Sequence, residues 1–273
     1  MRILLATPFI TGHTHDTGVL VAKALNELGN PIYFWDFRIT TMPPEVEYDL
    51  VVVIKGENIR PKQLKHPLVN WFPDNLIRYP NIEIESYDKF YTINKEDRGI
   101  FLPGACDPDV HKPMDVQQVF DVVFVGTANS PKKPAFLNQL VKKIRNITIF
   151  GNNWDLYGMH ANPPQYFHDF ARTISAAKIA LNLHWDLYGI GTNRKVHEIA
   201  GVGKALLLTD KVKGLSETYP MAPCFTSVNE CSELIQYYLD HDEERNKLVL
   251  EMQKRAYERF TYKRQMQRIL EEL

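Results

Sequence analysis

Gly191-Thr192-Asn193-Arg194-Lys195-Val196-His197-Glu198-Ile199-Ala200-Gly201-Val202-Gly203-Lys204-Ala205-Leu206-Leu207-Leu208-Thr209-Asp210 is the stretch that decides the fold. Its first part predicts a helix over Asn193–Ala200. Ala205–Thr209 is a short apolar run of the kind buried on both faces of a parallel sheet. A helix feeding such a strand is one repeat of an α/β fold. Polar groups gather at the helix start, where Thr192 is an acceptable N-cap. Backbone amides there can bind phosphate oxygens, with Asn193, Arg194 and Lys195 alongside. Glu198 lies one turn beyond Arg194 on the same face, where a carboxylate could accept the two hydroxyls of a ribose. The plainer alternative is an Arg194–Glu198 surface pair at i, i+4 spacing, worth about 0.3–0.5 kcal/mol. Spacing leaves both open.

Outward from this segment the same alternation recurs. Val122–Val125, Ile147–Phe150 and Ala180–Leu183 read as strands, Pro134–Arg145 as a helix, and the chain closes with helices over roughly 229–240, 243–259 and 262–272. In the first half, Arg2–Thr7, Ile32–Phe37, Asp49–Ile54, Leu68–Phe72 and Lys89–Ile93 read as strands. His13 to Asn30 reads as loop and helix, stopped by Gly29-Asn30. Leu102-Pro103-Gly104-Ala105-Cys106-Asp107-Pro108, with Pro113 beyond, is rich in helix and strand breakers and marks a linker. Two strand–helix series of similar size predict an α/β chain of two Rossmann-like domains, 1–112 and 113–260, facing each other across a cleft. Ligands in such sheets sit at the carboxyl ends of the strands.

Composition narrows the function. The 273 residues are 44% hydrophobic and 24% charged, with net charge −1. This excludes disorder and any sequence-wide basic field for nucleic acid or anionic lipid. Residues 1–112 carry 12 Lys/Arg against 15 Asp/Glu and residues 113–273 carry 20 against 18, so the second half is the better host for an anion. No apolar run approaches the ~18–20 residues of a membrane span. Three cysteines without C-x-x-C form neither a disulfide framework nor a zinc site, and a reducing cytoplasm is the expected setting.

Gly126-Thr127-Ala128-Asn129-Ser130-Pro131-Lys132-Lys133 follows a strand and precedes a helix. Gly126 allows close approach of a diphosphate that Lys132 or Lys133 could neutralise; a solvated lysine pair is the alternative. The segment is not a Walker A sequence and lacks G-x-G-x-x-G. After the first strand, Gly12-His13-Thr14-His15-Asp16-Thr17-Gly18 offers His13 as a base toward an acceptor hydroxyl. Asp74, in Trp71-Phe72-Pro73-Asp74-Asn75, also ends a strand and is a second candidate base, or the start of an Asx turn. His13/His15 and His184/His197 make no persuasive metal ligand set, and no D-x-D pair stands ready for Mg²⁺.

The helix with Glu198, its small residues, Gly203 and the following strand resemble the nucleotide-sugar site of GT-B glycosyltransferases. More closely, the chain resembles the spore-maturation-protein-type (CgeB-like) branch of glycosyl transferase group 1. The agreement lies in ordered motifs over about residues 49–270: Trp71-Phe72-Pro73-Asp74-Asn75, Tyr87-Asp88, the 102–108 segment, Asp121-Val122-Val123-Phe124-Val125-Gly126, Phe150-Gly151-Asn152-Asn153-Trp154, Asn193-Arg194-Lys195-Val196-His197-Glu198 and Phe260-Thr261-Tyr262-Lys263-Arg264. The resemblance implies that Glu198 is the second glutamate of an E-x7-E motif and holds the donor ribose. The first glutamate's position is Ile190, which departs from the pattern. Gly151 and Trp154 fall where the family's loop faces the nucleotide base, although the tryptophan could equally fill core. Residues 261–273 would form a helix crossing back to the first domain.

These readings converge on a glycosyltransferase that moves a sugar from a nucleotide-diphospho-sugar, UDP-linked, to an acceptor hydroxyl on a small molecule, glycan or protein, without a metal and without a resident cofactor. Two alternatives accompany it. One is a viral-type transferase acting on a hydroxylated DNA base, for which Arg60, Lys62, Lys65, His66 and Arg78 would form a local basic patch. The other is a non-catalytic nucleotide-sugar-binding protein, motivated by Ile190.

Overall fold

The computed structural model describes residues 1–8, 15–57, 59–64, 67–184 and 191–273. His13 and Ile190 lie outside the described residues, as do Lys65 and His66. The chain divides into two compact units: Met1–Ala105 with Gly191 and Phe260–Leu273 form unit 1, and the rest, from Cys106 to Arg259, forms unit 2.

Unit 1 contains β1 (Ile3–Ala6), α1 (His15–Glu27), β2 (Ile32–Trp35), β3 (Leu50–Ile54), β4 (Leu68–Phe72), β5 (Lys89–Thr92) and the short β6 (Ile100–Phe101). They form one parallel sheet in the order β2-β1-β3-β4-β5-β6. The β-branched run of β3 lies at the centre with every residue buried, and each such side chain contributes roughly 1.5–3 kcal/mol of transfer free energy. Asn30 stops α1 as its sequence suggests, its amide donating to the carbonyls of Leu25 and Leu28 at 3.3 Å. One sheet face carries Leu4, Ala6, Val51, Val53, Leu68 and Phe72, packed with Trp35, Phe37, Tyr87 and Phe90. The connections from β3 to β4 and from β4 to β5 are short 3-10 turns (Pro61–Gln63, Leu76–Arg78, Ile84–Ser86) instead of α-helices.

Unit 2 contains β7 (Phe120–Val125), α2 (Lys132–Leu140), β8 (Ile147–Phe150), α3 (Phe167–Ser175), β9 (Ala177–Asn182), α4 (Arg194–Val202), β10 (Leu206–Asp210), α5 (Leu215–Thr218), β11 (Cys224–Phe225), α6 (Val228–Asp240) and α7 (Asp242–Arg259). Its parallel sheet has the order β11-β10-β9-β7-β8. The α/β reading with two Rossmann-like sheets holds. Three details differ from the sequence reading. α2 begins at Lys132, ahead of Pro134, because a proline in the first helical turn gives up an N–H that has no intrahelical partner. α3 was not expected, although Phe170, Ala171 and Ile174 form its buried stripe. The chain passes from unit 1 to unit 2 at Cys106, inside the 102–108 breaker segment but ahead of residue 113. Buried Cys106 lies against Gly201 of α4, and the Tyr257 hydroxyl of α7 donates to the His111 carbonyl at 3.0 Å.

The last helix, α8 (Tyr262–Glu271), belongs to unit 1. Thr261 caps it by accepting from the Arg264 amide at 3.2 Å. Tyr262 meets Trp71 of β4 edge to face at 5.9 Å between centroids. The Tyr91 hydroxyl donates to Glu272 at 2.9 Å, and Lys263 pairs with Glu27 of α1 at 3.7 Å. Trp71 is 1% exposed. We expect Trp71→Ala to cost about 3–5 kcal/mol in urea unfolding, through lost transfer energy and the cavity left beneath α8.

Candidate functional site

α4 is tied to the end of β9 by its own cap. Asn193, not Thr192, is the N-cap: its side-chain oxygen accepts from the Val196 amide at 3.3 Å, and its amide nitrogen donates to Asn182 Oδ1 at 3.2 Å and the Leu183 carbonyl at 3.4 Å. The expected N-cap, Thr192, is buried, and its hydroxyl lies 3.2 Å from His197 Nε2. An amide side chain outdoes a hydroxyl here because it caps the helix and bonds β9 together.

Glu198 is 1% exposed. Arg194 Nε lies 2.8 Å from its Oε1 and Lys195 Nζ 2.9 Å from its Oε2. Lys195 also sits 4.0 Å above the ring of Phe170 of α3. Burial alone would raise the Glu198 carboxyl, but Arg194 and Lys195 outweigh it and hold it well below the usual carboxylate range. His111 Nε2 approaches Oε1 at 3.9 Å. Burial keeps this imidazole neutral. Its Nδ1 accepts from the Asp107 amide at 2.9 Å, so its proton resides on Nε2, facing the carboxylate. The ion pair left open by spacing therefore forms, but in the interior and with two cations.

Beside this helix start is a cavity of about 220 Å³ at the carboxyl ends of β9, β10 and β11. It is lined by Lys132, Lys133 and Phe136 of α2, by Leu183 and His184 after β9, by Asp210 and Lys211, and by Phe225 and Thr226. His184 is fully buried, with its backbone amide 2.9 Å and its Nδ1 2.7 Å from Asp210 Oδ1. Burial works against the charge on Asp210, but the bonds to His184 outweigh it and the carboxyl is lowered. The structure thus brings the expected Lys132 and Lys133 together with His184, Asp210, Lys211 and Thr226, which the sequence reading missed. Their signal was positional: each ends a strand of the parallel sheet or follows one within two residues.

Of the two readings of Trp154, slot or core, the structure takes the second, and Gly126 and Gly151 meet beside it. The Trp154 indole donates to the Gly126 carbonyl at 2.9 Å, packs edge-on against Phe124 at 5.6 Å and is 1% exposed. It fills core, and its faces are closed to a nucleotide base. Gly151 has φ +140°, and a Cβ there would stand 2.1 Å from the Gly126 carbonyl oxygen. The two glycines serve this backbone contact.

In unit 1, Asp74 follows β4. Lys55 Nζ lies 3.1 Å from its Oδ2, the Tyr79 hydroxyl donates to the same oxygen at 3.3 Å, and the Asn75 amide donates to Oδ1 at 2.9 Å. Lys55 has φ +67°, a conformation that costs a side chain about 1–2 kcal/mol. A partly buried ion pair returns about that much or less. Of the basic patch considered for DNA, Lys62 faces Glu83 at 3.6 Å and Arg78 lies 3.9 Å from Asp74. Among the described residues no three His, Cys, Asp or Glu side chains gather as a metal site, and no helix is long and apolar enough to cross a membrane.

Between Thr192 and Tyr219, burial pushes the His197 imidazole down to about 3 from 6.5. A folded value below the unfolded one favours folding above the unfolded value, and that contribution is lost as pH falls. We expect the urea midpoint to drop as pH decreases from 6.5 towards 3. His197→Gln should flatten the slope by about 1.4 kcal/mol per pH unit below about pH 6.

Solved structures share the fold, and three of them serve as examples. T4 phage BGT in complex with UDP-glucose is 14% identical, over 94% of this chain and 95% of that one, with TM-score 0.66. Anabaena Alr3699/HepE in complex with UDP-glucose is 12% identical over 100% of both chains, with TM-score 0.69. An alpha1,3-fucosyltransferase is 12% identical over 97% of this chain and 88% of that one, with TM-score 0.63. At such identities the likeness is one of fold. No curated protein sequence matches the chain. The glycosyl transferase-like family matches residues 132–271, from the first residue of α2 to the last of α8. That stretch is more than half of the 273 residues and contains the cavity and the Glu198 cluster. The protein therefore belongs to the glycosyl transferase-like family and is a glycosyltransferase of the GT-B fold.

Proposed function

We propose that unit 2 binds a nucleotide-diphospho-sugar, with UDP as the nucleotide, and that the sugar passes to an acceptor hydroxyl. The observation that carries this reading is the cation-rich carboxyl edge of unit 2's sheet. Lys132, Lys133 and Lys211 edge the cavity, and Asn193 ties the start of α4, with Arg194 and Lys195, to the cavity residue Leu183. Dinucleotides and nucleoside diphosphates bind parallel sheets at this edge, and helix-start amides with cations suit a diphosphate. The UDP-glucose held by T4 phage BGT and by Alr3699/HepE supports the choice of donor.

In this reading Arg194 and Lys195 have two states. Glu198 holds both in the free protein; a diphosphate draws one away, and the uncovered carboxylate accepts the ribose hydroxyls. The acceptor's O–H proton passes to a base on unit 1, His13 or Asp74. The acceptor oxygen bonds to the anomeric carbon while the carbon–oxygen bond to phosphate breaks, and UDP leaves with that electron pair. Lysines and helix amides stabilise the charge that develops on it. No step is routed through a metal. The ordered motifs favour the spore-maturation-protein-like branch, and the cysteine content favours a cytoplasmic setting.

A thermal-shift and calorimetric series tests the donor site, since binding raises apparent stability by mass action. UDP and UDP-glucose should stabilise the protein and uridine should not. Lys132→Ala and Arg194→Ala should each weaken UDP binding about ten-fold, or about 1.4 kcal/mol. Unchanged affinity in both would place the diphosphate elsewhere. UDP release from UDP-sugars in the presence of hydroxyl acceptors tests transfer. Tight UDP binding with no release under any donor and acceptor would instead favour the non-catalytic reading that Ile190 motivates. Salt-dependent binding of duplex DNA would favour the DNA-base acceptor.

A further inference from the structure

The turn after β3 holds a lysine where glycine would fit without strain. The Lys55 amide continues the ladder to the Trp71 carbonyl at 3.1 Å. Its own carbonyl accepts from Asn70 at 2.9 Å, and Asn70 is fully buried. The next residue, Gly56, has φ +80°, and a Cβ there would stand 2.6 Å from Val53 Cγ1. Asn70 and Gly56 thus impose the turn, and position 55 takes the left-handed conformation whatever side chain it carries. Strain of this kind persists where the surroundings over-determine it, and it concentrates at functional sites.

The side chain shows what the strain accomplishes. The Lys55 side chain is 13% exposed and runs to Asp74 Oδ2, passing 5.7 Å from the centre of the Tyr79 ring. Tyr79 donates to the same oxygen. Its phenol is raised by burial, so it keeps the proton that it donates. Oδ2 is therefore held by two donors from separate segments, whereas Oδ1 takes the Asn75 amide, has Arg78 Nη1 at 3.9 Å and retains a second lone pair. Both residues stand at the carboxyl ends of neighbouring strands, the edge where parallel sheets place ligands.

We propose that Lys55 is a positioning residue: with Tyr79 it locks Oδ2 of Asp74, so that Oδ1 is presented to the acceptor hydroxyl. This rests on the transfer reading and selects Asp74 over His13 as the acceptor-side base. Lys55 acts through Asp74 and not on the substrate. The isolated alternative, a stabilising ion pair, fits poorly with a backbone that glycine would relax.

The test compares wild type with Lys55→Gly and Lys55→Arg. Unfolding midpoints are measured, together with UDP release from UDP-glucose, UDP-galactose and UDP-N-acetylglucosamine, offered with monosaccharides and alkyl glycosides. Lys55→Gly should keep or raise the unfolding midpoint, leave the donor KM unchanged and lower kcat about ten-fold or more. Lys55→Arg should restore most of kcat. An active wild type with unaltered kcat in Lys55→Gly overturns this inference alone. A midpoint that falls together with kcat marks Lys55 as a structural bridge and also overturns it. A wild type that releases no UDP from any of these donors, with glycan, protein and hydroxymethylated duplex DNA also offered as acceptors, removes the transfer reading, and this inference with it.

Discussion

A carboxylate taken out of water must be neutralised, and much of unit 2 is arranged around that need. Removing Glu198 from solvent costs several kcal/mol before any pairing. Two cations from its own helix offset this at 2.8 and 2.9 Å, and they can do so only if the first turn of α4 is held in place. Phe170 lies under Lys195, Gln253 of α7 donates to the Gly201 carbonyl at 3.2 Å, and the segment around Cys106 and His111 closes the remaining side. The neutral His111 imidazole, 3.9 Å from Oε1, adds a dipole without adding charge that would compete for it.

That arrangement brings the chemistry to one edge. A parallel sheet needs its crossovers on the faces, so the loops after the strands are left to carry polar groups. In unit 2 these loops deliver lysines, a histidine–aspartate pair and a capped helix start. In unit 1 they deliver Asp74 with Lys55. The fold supplies the edge, and the side chains decide what it binds.

Most of the sheet architecture was legible. Runs such as Leu50–Ile54 and Leu206–Leu208 admit little but a strand buried on both faces, and Gly29-Asn30 announces its helix stop. Short elements escaped: Cys224–Phe225 is too brief to show a period, and α3 begins among aromatic residues that suit strand or helix. At the site, the sequence placed Glu198 near Arg194 and Lys195 through helical spacing, but spacing carries no information about burial, and burial turned a surface pair into an interior cluster. Trp154 shows the same limit, since an indole after a strand suits a binding slot or a core. Lys55 and Asp74 meet across two strands, a contact that no local pattern encodes.

The placement of α8 has a consequence for how the chain is made. Unit 1 opens the sequence, yet the helix that covers Trp71 is translated after the whole of unit 2. Domains ordinarily fold as they leave the ribosome, the first one first. Here the leading unit emerges with one apolar face of its sheet still waiting for its last helix, and it must stay soluble in that state throughout synthesis of the trailing unit. Completion of unit 1 therefore waits until unit 2 has been made, and a ribosome stalled before α8 would display a sticky nascent chain in place of a finished domain.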